Sequence, residues 1–105
     1  MRTSQAFILV RIQTIGMPET ATCADVLRSP RKREMVAKAV YEEVVGLEES
    51  ERRIDGGLEF TRPVAERFPG GYKEVEPLVE EVCRSEPGNK PYGATLDRIH
   101  GELTR

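Results

Sequence analysis

Tryptophan is absent from this 105-residue chain, and only three Tyr and three Phe stand in for it. There is one His, so a histidine-rich metal site and an obvious catalytic triad are both excluded. There are two Cys, Cys23 and Cys83, sixty positions apart. No CxxC or zinc spacing exists, and two thiols cannot make a disulfide framework. Two reduced, partly buried thiols are expected. A single disulfide closing a long loop is the alternative, and it requires an oxidising compartment. The longest N-terminal apolar run, Ala6 to Val10, is five residues. A signal peptide needs roughly 7–15 and a membrane span roughly 20. A soluble cytoplasmic protein without membrane contact is therefore expected. Excess charge is lacking too: 16 Lys+Arg oppose 18 Asp+Glu, a net charge of -2. That argues against a uniformly basic nucleic-acid binder and against an acidic solvating tail. The length fits a single small domain over 1–105 with one modest core.

What is present suggests an α+β, helix-rich fold. Residues 6–15 are β-branched and aromatic, with Ile8, Val10 and Ile12 on one face and Phe7 and Leu9 on the other. This pattern predicts one N-terminal strand, stopped by Gly16-Met17-Pro18. Helical spacing of Ile8, Ile12 and Ile15 keeps a helix open there. Thr22-Cys23-Ala24-Asp25 fits a short capping box, predicting a helix over about 23–29. Ser29-Pro30 supplies a cap and a first-turn proline for the next helix, about 30–45. Its apolar stripe is Val36, Ala37, Val40, Tyr41, Val44 and Val45, and Gly46 suits a C-cap. Asp55-Gly56-Gly57 marks a turn, and a short hairpin is expected near 53–60. Two helical turns follow around Val64–Phe68. The remaining main helices are expected at about 75–85, burying Val75, Leu78, Val79, Val82 and Cys83, and at about 94–104, burying Leu96, Ile99 and Leu103.

Chemistry is sparsely signalled. Gly56-Gly57 and Gly70-Gly71 are isolated turn pairs, outside any phosphate-loop pattern. His100 has the pKa range of a general base, but no local nucleophile or orienting group accompanies it. Adjacent carboxylates such as Glu80-Glu81 diverge on a helix and do not form an acid/base pair. No catalytic residue, cofactor or metal is expected, and an enzyme is not.

The informative feature is how charge is distributed. Residues 1–41 carry +4, residues 42–86 carry -7, and residues 87–105 carry +1. The basic focus is Arg28, Arg31, Lys32 and Arg33, at a helix start where backbone amides also attract anions. The acidic focus is Glu42, Glu43, Glu48, Glu49, Glu51 and Asp55. Each pole reads either as solvated charge paired with the other or as a contact surface. The expected function is a non-catalytic protein-protein interaction or regulatory module acting through these poles. Its partner is another protein or a second copy of the chain, as a homodimer joined head to tail. The alternative is a small nucleic-acid-binding regulator using the basic turn 28–33, with Arg52 and Arg53 assisting. A small hydrolase or transferase is the third and weakest reading.

Overall fold

The structure is a computed structural model. It describes residues 17, 18, 20–55 and 63–103, with the side chains of 50–55 excepted. Its regular elements are α1 (Cys23–Arg28), α2 (Pro30–Asp55), α3 (Val64–Arg67), a 3₁₀ turn (Gly71–Glu74), α4 (Glu76–Arg84), a second 3₁₀ turn (Tyr92–Thr95) and α5 (Leu96–Leu103).

The α+β expectation is overturned: the described residues contain no strand. The expected N-terminal strand over 6–15 lies outside the described residues. The expected hairpin near 53–60 fails at its first flank, because Arg53, Ile54 and Asp55 form the last turn of α2. Its second flank lies outside the described residues. The physical reason is the run that follows Gly46. Glu48 and Glu49 stand four positions before Arg52 and Arg53, the order that favours helix. A glycine inside a helix costs only about 1 kcal/mol relative to alanine, so the helix runs through it. Gly46 is therefore mid-helix and exposed rather than a C-cap.

The start signals act as expected. The Thr22 hydroxyl accepts from the Asp25 N–H at 3.3 Å, and the Thr22 N–H donates to the Asp25 carboxylate at 2.9 Å. The next amides are satisfied from a distant loop. Cys23 N–H donates to the Lys90 carbonyl at 2.8 Å and Ala24 N–H to that of Gly88 at 3.0 Å. Tyr92 N–H returns to the Ala21 carbonyl at 3.2 Å, beside an isolated antiparallel bridge between Thr22 and Pro91. At the head of α2, Ser29 Oγ accepts from the Lys32 N–H at 3.2 Å, with Pro30 in the first turn.

The core is rich in valine. Val36, Ala37, Val40 and Val44 of α2 are buried against Cys23 and Val26 of α1 and Val79, Val82 and Cys83 of α4. Leu96, Ile99 and Leu103 close it from α5. Tyr92 and Met17 are its largest members. Gly71 has φ 75°, a left-handed conformation that an L side chain adopts only with strain. This glycine turns the chain from α3 toward α4.

Candidate functional site

Both charge poles lie on or beside α2, and the fold treats them differently. At the basic turn, Arg33 reaches back across the corner to α1. One of its guanidinium nitrogens donates to the Leu27 carbonyl and lies 3.5 Å from that of Val26. Those carbonyls end a helix and have no acceptor role left inside it, so a cation there satisfies both hydrogen bonding and the helix dipole. Arg28 Nη2 pairs with Asp25 Oδ1 at 2.7 Å. The Thr22 N–H first, then Arg28 and the Thr22 hydroxyl, hold the Asp25 carboxyl below the usual carboxylate range. Lys32 is half-buried, and Arg31 is exposed. Of the four basic residues, two thus serve the α1–α2 corner itself.

The acidic stretch is divided as well. Glu48 turns toward α3, where both carboxylate oxygens accept from the Val64 N–H, at 3.0 and 3.2 Å. Glu43 is half-buried and close enough to His100 to act on its charge. Glu42 and Glu49 are exposed. Glu51 and Asp55 belong to the helical backbone of α2, and their side chains lie outside the described residues.

Beyond Pro30, the exposed positions among the described side chains of α2 fall at 31, 34, 38, 42, 46 and 49. Steps of three and four keep them on one face. The first half of this stripe is touched by Tyr72 of the Gly71–Glu74 turn. Tyr72 donates its hydroxyl to Glu34 Oε1 at 3.3 Å, and Lys38 Nζ stands 5.8 Å from the centre of the Tyr72 ring. Glu34 first, then burial, pushes the Tyr72 phenol upward. Beyond Lys38 the stripe reads Glu42, Gly46, Glu49, and it is acidic.

Helix geometry keeps Arg31 from pairing with Glu42. Arg31 and Glu42 are eleven residues apart on one helix, roughly 16 Å at 1.5 Å per residue. That exceeds the Debye length of about 8 Å at physiological salt. Among the described residues, Arg84 pairs with Glu80, Lys90 with Glu86 at 2.9 Å and Arg98 with Glu86 at 3.0 Å, contacts that are local or join the loop to α5.

His100 lies on α5, half-buried. Burial lowers its pKa from the ordinary value, with Asp97 and Glu43 opposing that shift. The two cysteines lie instead in the core where α1 packs on α4. Both are buried, and burial first, then the neighbouring Cys23, pushes the Cys83 thiol up to about 12. A separation of sixty positions gives no one-dimensional sign of this shared burial, because only tertiary packing of α1 on α4 creates it. Among the described residues no three His, Cys, Asp or Glu side chains gather to hold a metal ion. No helix among them is long and apolar enough to cross a membrane. Comparisons of the chain with protein-family models, curated proteins and solved structures found no match.

Proposed function

We propose that the protein is a non-catalytic interaction module that presents the distal half of α2 to a basic surface on a protein partner. One observation carries this reading. Among the described side chains, the exposed stripe of α2 beyond Lys38 bears the acids Glu42 and Glu49, while the opposite face is fixed in the core by Val36, Val40 and Val44. A rigid helix bearing two like charges two turns apart, on a surface that moves little, steers a partner of opposite sign and sets its orientation. A second copy of the chain could serve as partner only through Arg31 and Lys32, since Arg28 and Arg33 are engaged at the α1–α2 corner. The same engagement weakens the nucleic-acid alternative, which needs several cations for phosphates.

Affinity capture from the native cell tests the reading, with wild type compared against the Glu42→Lys/Glu49→Lys double variant. Both protein and nucleic acid are analysed in what is recovered. The expected result is a protein partner that is held by wild type, released by raised salt, and lost by the double variant. Recovery of nucleic acid, abolished by Arg31→Glu/Lys32→Glu and untouched by the acidic reversals, would transfer the function to the basic turn. A salt slope of about 0.9 per neutralised phosphate on duplex DNA would accompany that outcome. Turnover of a small substrate that disappears in His100→Ala would overturn both.

A further inference from the structure

We propose that two copies of the chain pair through α2, antiparallel about a two-fold axis at position 40, with Arg31 of each copy against Glu49 of the other. This rests on the reading of the acidic half of α2 as a contact surface, and it names the basic surface that meets it.

The exposed row of α2 is symmetric in position. Beyond Pro30 its described members are Arg31, Glu34, Lys38, Glu42, Gly46 and Glu49. Arg31 and Glu49 lie nine residues either side of position 40, Glu34 and Gly46 six, and Lys38 and Glu42 two. Two antiparallel helices related by a two-fold axis set each position level with its mirror image, because both rise by about 1.5 Å per residue. Turned end over end, the row therefore brings every exposed position to an exposed position of the other copy. The charges change sign under the same operation. Arg31, the member of the basic turn that stands on this row, comes level with Glu49, and Lys38 with Glu42, each twice across the axis. A parallel pair in register would instead set like charge against like, which is unfavourable.

Glu34 has no opposite charge at its level; it comes to Gly46. A glycine inside an exposed helix weakens that helix. A Cβ at Gly46 would meet nothing within 4 Å, so no described contact inside the molecule calls for glycine there. In the pair the missing side chain faces the crowded part of the row, where Tyr72 donates its hydroxyl to Glu34 Oε1 at 3.3 Å. Glycine leaves room for that contact and sets no like charge before Glu34. Met35 and Val45, five residues either side of position 40 and both half-buried, border the row and bring apolar side chains to the same level. The net charge of -2 leaves little repulsion between copies. Exposed ion pairs are individually weak, so the dimer forms as concentration rises and dissociates as salt rises.

The test is sedimentation equilibrium of the full chain from about 1 μM to about 1 mM. It is run at about 0.01 M salt, where the Debye length is about 30 Å, and again at about 0.15 M, where it is about 8 Å. The expected result is a monomer–dimer equilibrium with no larger species, weakened by the added salt. Arg31→Glu and Glu49→Arg should each raise the dissociation constant about tenfold or more, by setting like charges level. The Arg31→Glu/Glu49→Arg double variant should restore the dimer. That rescue acts between copies, because the two positions are about 27 Å apart along one helix. Gly46→Gln should also weaken the dimer about tenfold while leaving the unfolding midpoint no lower, since it adds a helix former at an exposed site. A monomer at every concentration, species larger than a dimer, a dimer indifferent to the single reversals, or a double variant that fails to restore it would each overturn the proposal. If the chain is monomeric but capture from the cell still returns a partner lost by Glu42→Lys/Glu49→Lys, the pairing falls and the reading of α2 stands. If neither is found, both fall.

Discussion

The two ends of α2 carry charges of opposite sign and use them in different ways. At the N-terminal end the cations work inside the molecule: Arg33 completes the end of α1, and Arg28 holds Asp25. Even in the exposed row there, Glu34 and Lys38 are contacted by Tyr72. At the distal end the core has run out. Val44 is the last buried residue among the described side chains of α2, and Glu42 and Glu49 face solvent. Glu48 there makes a structural contact comparable to that of Arg33, on the Val64 N–H of another helix. A charge run in a sequence therefore mixes charges that build the fold with charges left on its surface. Arg33 and Glu48, each bonded to the backbone of another helix, are of the first kind.

Substitution sharpens this division, and the largest effect is expected at Arg33. Arg33→Ala leaves the terminal carbonyls of α1 without their charged donor. It should destabilise the protein by about 2 kcal/mol in urea unfolding. Arg31→Ala, two positions away and exposed, should change stability by less than about 0.5 kcal/mol. Equal losses would erase the distinction within the basic turn. The acidic counterpart is Glu48→Ala, which removes the cap of α3 and should cost about 1 kcal/mol. Glu49→Ala, its neighbour, should be neutral by the same measurement. Gly46→Ala addresses the exposed helix between them. A Cβ there meets nothing within 4 Å. The substitution should stabilise the chain by roughly 0.5–1 kcal/mol, because the helix interior then loses its most flexible backbone position.

How much of this was legible in the sequence depends on the range of the interaction. Caps are local, and Thr22, Ser29 and Pro30 announced the starts of α1 and α2 at the observed positions. Apolar spacing likewise located α4 and α5, and the buried faces of Val79, Val82 and Cys83 and of Leu96, Ile99 and Leu103 match it. The extent of α2 was misjudged because Gly46 resembles a stop signal. Its cost of about 1 kcal/mol is small beside a continuing run of helix-forming residues. Tyr92 gave no sign of becoming the largest buried side chain, because its neighbours in the sequence are those of a loop. The roles of Arg33 and Glu48 were hidden for a related reason: each satisfies a backbone group of another helix. Their partners, Leu27 and Val64, become visible only when those helices are placed in space.

The smallest expected effect tests where the acidic half of α2 reaches inward. Glu43 is half-buried and raises the His100 pKa, against the larger lowering by burial. The net result keeps folded His100 below its ordinary value of 6.5, so the folded state favours the neutral ring. Between that lowered value and 6.5 the unfolded chain binds more protons, and stability rises with pH. The contribution is complete above pH 6.5 and is lost as the pH falls through the folded value. Unfolding midpoints measured above pH 6.5 and about one unit below it should therefore decline on acidification. His100→Gln should flatten that decline. Glu43→Gln should steepen it, by removing a charge that favours the imidazolium. Glu42→Gln, one position away but exposed, should leave the slope nearly unchanged. If Glu42 and Glu43 shift it equally, the acid that turns inward and the acid that faces solvent are not distinct. The distal half of α2 would then be one screened patch of charge, acting on His100 without regard to side-chain direction.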